Sequence, residues 1–217
     1  MQRNRLQQCK DFAAFPLRAL MLIEQDRWGL SSLASERFDY AQREVIGYCL
    51  NTGCGRGNRF IKEFLNGNGR SIDVYPYEEL AANDLVRDMT RLPFRDATFD
   101  SVTFIANINH VPRSLRDREL AEASRCLKPG GNIIVTMGNP LAEILIHQLL
   151  RLYDRMLGTR LDVDGERGMH EEEAYYLTDR EIITRLRDAD FTAIRKTYFA
   201  TQWGLNHLFV GWKPKSA

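Results

Sequence analysis

Along the chain, short apolar runs alternate with amphipathic stretches. Residues 45–50 form an apolar run that ends in a Gly-rich turn, which predicts a buried strand. Residues 58–65 carry Phe60, Ile61, Phe64 and Leu65 at helical spacing, and Asn66-Gly67-Asn68-Gly69 ends that helix through residues that tolerate positive φ. Further strands are predicted over 71–74, 85–88 (the weakest) and 101–106, the last rich in β-branched and aromatic residues. A helix over 116–126 places Leu115, Leu120, Ala123 and Leu127 on one side, and Lys128-Pro129-Gly130 fits a type II turn into a strand over 132–137. Asn139-Pro140 then opens a long amphipathic helix whose apolar face runs from Leu141 to Met156. Thr178 and Glu181 make a capping box that starts a helix ending near Ala189, and strands follow over 191–199 and 206–212.

This order predicts a doubly wound α/β domain with a seven-stranded, mostly parallel sheet and helices on both faces. The last two strands leave little room for a helix between them, so they form a hairpin and one strand runs antiparallel. Before residue 45 the chain reads as helical and irregular. Phe15, Ala19, Leu22 and Ile23 share a face, and 35–43 suit a second short helix.

Composition narrows the function. The chain has 217 residues, 44% hydrophobic, with 30 Lys+Arg against 29 Asp+Glu. It is ample for a core, and its balanced charge disfavours a partner as acidic as nucleic acid. No stretch reaches the roughly 20 apolar residues of a membrane span, and no signal peptide is read, so a cytoplasmic protein is expected. Cys9, Cys49, Cys54 and Cys126 lack metal or disulfide spacing, so no metal is expected.

The chemistry-bearing segment is Asn51-Thr52-Gly53-Cys54-Gly55-Arg56-Gly57, a Gly-rich turn from strand into helix. Asn58 stands where a dinucleotide fingerprint has its third Gly, which weakens a NAD or FAD reading, and no P-loop Lys-Ser/Thr follows. Asp73 lies 18 residues beyond Gly55 at the end of the second strand, where a carboxylate can accept from both hydroxyls of a ribose.

Residues 45–137 resemble the core of the class I S-adenosylmethionine-dependent methyltransferases, in the small-molecule (type 11-like) group. The turn at 51–57 resembles the family's first motif and Ile72-Asp73-Val74 its second. Arg87-Asp88-Met89-Thr90-Arg91-Leu92-Pro93-Phe94 resembles its third; Phe99-Asp100-Ser101-Val102 and Cys126-Leu127-Lys128-Pro129-Gly130-Gly131 follow in order. The resemblance implies a Rossmann-like fold and S-adenosyl-L-methionine as cofactor, with S-adenosyl-L-homocysteine as product. It places Asn51, Thr52, Gly53, Cys54 and Gly55 at the methionine moiety and Asp73 with Val74 at the ribose. Asp88 would accept from the adenine amino group, Met89 would meet the ring, and Phe104 and Ile105 would line the methionyl end. Two positions depart from the pattern: Asn51 replaces an acidic residue, and Asp190 replaces a helix-ending Gly.

Methyl transfer from a sulfonium needs in-line approach more than acid–base machinery. His110 is the candidate general base where the nucleophile carries a proton. Asn109, His170, Tyr175 and Trp203 are candidates for the acceptor pocket. The expected organisation is one domain: a helical cap over 1–44, the cofactor-binding core over 45–137, an inserted helix and lid over 138–177, and a terminal helix and hairpin over 178–217. A small organic acceptor, methylated at O, N or C, is the favoured substrate, in a monomer or homodimer. A tRNA- or quinone-directed enzyme of the same fold, or a cofactor-binding module without catalysis, are the alternatives.

Overall fold

The structure is a computed structural model, and it describes residues 4–20, 26–77, 80–139, 155 and 177–215. Its centre is a six-stranded sheet in the order β2-β1-β3-β4-β6-β5. The strands are β1 (Cys49–Thr52), β2 (Gly69–Ile72), β3 (Phe99–Ile105), β4 (Leu127–Gly138), β5 (Thr192–Tyr198) and β6 (Asn206–Trp212). The pairs β1–β2, β1–β3 and β3–β4 are parallel, and β6 runs antiparallel to both β4 and β5. The architecture is the expected mixed, mostly parallel sheet of a Rossmann-like fold, and the reversed strand is β6.

The expected seventh strand, over 85–88, is absent among the described residues. Only Leu85 pairs, in an isolated parallel bridge to Asp73. Asp73 N–H donates to Asp84 O and Val86 N–H to Asp73 O, which makes one rung. The ladder stops there because β2 ends at Ile72 and Asp88 folds its carboxylate back onto the backbone and hydroxyl of Thr90. The helix expected over 58–65 is also remodelled. Gly57 and Asn58 both have positive φ (78° and 47°), so regular helix cannot start at Asn58, and residues Phe60–Phe64 form a π-helical turn. The long helix expected after Asn139 lies outside the described residues, apart from Arg155.

Two apolar cores flank the sheet. One contains Leu50, Val102, Phe104, Ile133, Val135 and Phe209, under α4 (Arg116–Cys126) and α5 (Asp179–Asp188). The other contains Cys49, Ile134, Leu208 and Val210, with Phe60 and Ala41 from the opposite layer. Odd and even positions of the parallel strands therefore face different layers, as a sheet covered on both sides requires.

The N-terminal segment forms α1 (Arg5–Ala13), α2 (Phe15–Leu20) and α3 (Leu33–Gln42). A buried ionic network ties it together. The Arg18 guanidinium, fully buried, lies 2.7 Å from Glu36 Oε2 and donates to the carbonyls of Ser31 and Asp11. Gln202, in the β5–β6 connection, donates to the same Glu36 oxygen at 2.6 Å, and Trp203 Nε1 donates to Phe12 O at 3.0 Å. The first helices are thereby fastened to the connection beside the carboxyl end of β4. Among the described residues, no helix is long and apolar enough to cross a membrane.

Candidate cofactor and acceptor site

The parallel strands β1, β2 and β3 all end at one edge of the sheet, and the turns that follow them build the site. After β1 the chain passes through Gly53, Gly55 and Gly57, all at positive φ (63°, 63° and 78°), a path that glycine takes without strain. The two central glycines have different surroundings. A Cβ on Gly53 would stand 2.3 Å from Cγ of Asn107, whose amide lies over it and donates to Thr52 O. A Cβ on Gly55 would meet nothing within 4 Å. Gly53 packs against the turn after β3, and Gly55 borders open space.

Asp73 is brought to this turn. It is buried, at 6% exposure. Its Oδ2 accepts from Gly55 N–H at 2.9 Å and its Oδ1 from Tyr75 N–H at 3.0 Å. The carboxylate is fixed by two backbone donors, which leaves two of its four lone-pair sites for hydroxyl groups of a ligand. Val74 and Tyr75 are more than half exposed, so an apolar shelf lies next to the fixed carboxylate. An open glycine turn, an oriented carboxylate and an apolar shelf fit an adenosine-bearing cofactor.

The remaining expected ligands divide. Asn51 is buried, and its Oδ1 accepts from the Thr103 hydroxyl at 2.9 Å; Thr52 is also buried and donates its hydroxyl to Thr103 O. Burial and the charge of Asp73 push the Cys54 thiol up to about 12, so it stays a neutral thiol. Asp88 is exposed, and its bonds to the hydroxyl and N–H of Thr90 hold its carboxyl below the usual range. Met89 is buried in the main core. Phe104 is fully buried under α4, whereas Ile105, on the other face of β3, is partly exposed at the strand end.

The turn after β3, Ile108–His110, carries the acceptor-side candidates. Asn109 is buried and its Oδ1 has no hydrogen-bond partner, while its backbone carbonyl accepts from Arg116. His110 is partly buried and its N–H donates to Asn107 O. Trp203 lies apart from this turn, half exposed against Phe12 and Phe15. His170 and Tyr175 lie outside the described residues. Among the described residues, no group of three or more His, Cys, Asp or Glu side chains is placed to hold a metal ion.

Sequence reasoning missed two residues here. Asn107 is one, although Asn after a strand end is an ordinary signal for a turn-stabilising amide. Glu119 was missed altogether. It is 94% buried on α4, beside Leu120.

Comparisons with known proteins cover the segment that builds this edge. A family model described as "Methyltransferase domain" matches residues 50–135. The ubiquinone/menaquinone biosynthesis C-methyltransferase UbiE of Rhizobium leguminosarum is 32% identical over 179 residues, covering 78% of this chain and 60% of the relative. A methyltransferase-named protein of Encephalitozoon cuniculi is 31% identical over 111 residues, 50% of this chain and 51% of its own. The chain thus spans between half and two thirds of the length of these relatives. Among solved structures, the methyltransferase in a complex with the Haloferax volcanii activator Trm112 superposes with a TM-score of 0.61 at 15% identity, covering 96% of this chain and 98% of that one. The Burkholderia thailandensis 1,6-didemethyltoxoflavin N1-methyltransferase, solved with S-adenosylhomocysteine, gives 0.54 at 18% identity over 95% and 81% of the two chains.

Proposed function

Residues 50–135 are a methyltransferase domain of the class I, S-adenosylmethionine-dependent kind, and from this premise we propose that the protein transfers a methyl group from that cofactor to a small organic acceptor. The observation that carries the reading is the meeting of Gly55 and Asp73 at the carboxyl ends of β1 and β2, with open space above the glycine. Ligands of open α/β sheets bind at this edge.

The cofactor, when bound, supplies an electrophilic methyl on a sulfonium whose departure leaves a neutral thioether. The protein's own residues orient and shield. Asp73, already held by Gly55 and Tyr75, offers its remaining lone pairs to the ribose hydroxyls. Asn51 and Thr52 fix the end of β1 through Thr103, and Asn107 locks the turn at Gly53. Asn51 is uncharged, so any bond it accepts from the methionyl ammonium lacks the strength of a charge-assisted one. His110 stands at the acceptor side and takes a proton from a hydroxyl or ammonium nucleophile.

The relatives named for quinone biosynthesis favour a second, narrower reading: methylation of a ring carbon in a quinone precursor. Its support is the 32% identity over 78% of this chain. Transfer of a labelled methyl from S-adenosylmethionine to a panel of phenols, amines and prenylated quinols tests both readings. Label in a soluble acceptor supports the first, and label confined to the quinols supports the second. Tight binding of S-adenosylhomocysteine with no transfer to any acceptor would make the chain a binding module.

A further inference from the structure

Helix α1 is amphipathic with its faces reversed. Its buried and half-buried positions are Asp11, Gln7 and Gln8, whereas Leu6, Cys9, Phe12 and Ala13 are exposed. A helix packed on a core shows the opposite arrangement. The inward polar groups are engaged. Gln7 donates to Gly29 O at 2.9 Å and to Asp11, and Asp11 accepts from the N–H and the hydroxyl of Ser31. This polar anchoring turns the apolar side outward. Leu6 is 65% exposed, and Phe12, Leu17 of α2 and Trp203 are each about half exposed. Trp203 sets its ring 6.2 Å from that of Phe12 and donates Nε1–H to Phe12 O, so the two share one patch. It does so from a left-handed backbone conformation, at φ 53°, which a bulky residue adopts at a cost. The exposed charges of the segment have one sign. Asp11 is the only acidic residue between positions 4 and 20, and it is buried. Arg18 is buried as well, which leaves Arg5 and Lys10 at the surface.

We propose that this outward face of the N-terminal helices docks on the surface of an anionic lipid bilayer. A helix lying in a membrane interface carries leucine and aromatic side chains on one side and arginine or lysine around them. Leu6, Phe12, Leu17 and Trp203 supply the first. Tryptophan suits the headgroup level because its ring is apolar with one polar edge. Arg5 and Lys10 supply the second, with stems long enough to lie along the acyl boundary while their heads reach lipid phosphates. A second copy of the chain fits less well. A two-fold contact sets the same surface against itself, and α1 and α2 expose no carboxylate to pair with Arg5 or Lys10. The inference does not depend on the cofactor reading. Where the acceptor is a prenylated quinol, it places the protein on the phase that dissolves that acceptor.

Vesicle co-sedimentation of the full chain tests this. Wild type binds vesicles of phosphatidylcholine containing about a third phosphatidylserine, and added salt weakens the binding. Its affinity for vesicles of phosphatidylcholine alone is at least about tenfold lower. Arg5→Gln combined with Lys10→Gln lowers affinity for the mixed vesicles about 30-fold. Leu6→Ser combined with Leu17→Ser lowers it about tenfold or more. Both double variants change exposed positions only, and circular dichroism shows each folded as wild type is. Wild type that ignores the mixed vesicles, equal binding to the two kinds of vesicle, or double variants that bind as wild type does would each overturn the inference. So would a lipid-free dimer that the Leu6→Ser, Leu17→Ser variant dissolves, in a protein indifferent to vesicles, since the face would then belong to a second copy.

Discussion

Asp73 and Glu119 are both buried carboxyls, and their partners set them apart. Asp73 has two backbone N–H donors, whereas Oε2 of Glu119 has none. Only the first was legible in the sequence, because its role follows from spacing relative to a glycine turn. Glu119 was hidden because burial of a helical charge depends on what the 88–92 loop covers, which no local pattern encodes. Its burial also has a consequence for stability. In the unfolded chain a Glu releases its proton near 4.5, and in the folded chain near 7. The folded state binds more protons in that window, so the Glu119 contribution is fully present below 4.5 and is lost as pH rises through 7. Glu119→Gln therefore matches wild type near pH 4.5 and is more stable by about 3 kcal/mol at pH 8. Chemical denaturation at the two pH values checks this, and an equal gap at both would refute it.

At the scale of elements, the ends of helices were the best encoded features. Thr178 caps α5 by accepting from Glu181 N–H, as the capping box predicts. The other end of α5 is a Schellman motif: Phe191 N–H donates to Leu186 O at 2.9 Å and Asp190 N–H to Arg187 O at 3.0 Å. Asp190 thus occupies the left-handed position, at φ 67°, which glycine fills without strain. Asp190→Gly is expected to stabilise the protein by about 0.5–1 kcal/mol, seen as a higher midpoint in urea with an unchanged slope. The β5–β6 hairpin and the reversed strand were also readable, from the short gap between two apolar runs. The strand over 85–88 and the helix over 58–65 were not. In the first, a side chain–backbone bond at Asp88 ends the pairing after one rung. In the second, two consecutive left-handed residues displace the helix start. Both outcomes turn on backbone angles that residue type alone leaves open.

For the whole molecule, no local pattern in residues 1–44 signals how the N-terminal helices attach. Residues 1–44 read as helical, but the fastening is a buried ionic cluster between residues far apart in the chain: Arg18 with Glu36 and Asp11, joined by Gln202. Removing the cation takes the positive charge from beside two buried carboxylates, so Arg18→Met is expected to cost about 3–5 kcal/mol in denaturant unfolding. A loss below 1 kcal/mol would mean that the cluster does not hold this layer. The cluster fastens the N-terminal layer to the connection beside the carboxyl end of β4, on the side of the sheet where the glycine turn, Asp73 and the His110 turn also lie. The central claim is that this edge binds S-adenosylmethionine through the glycine turn and Asp73. Calorimetric titration with S-adenosylhomocysteine tests it most directly, using wild type, Asp73→Ala and Gly55→Val, each first shown to be folded by circular dichroism. The account predicts saturable binding by wild type, with affinity at least about 100-fold lower in both variants. Full affinity retained in both variants, or a wild type that takes up NAD in preference, would contradict it.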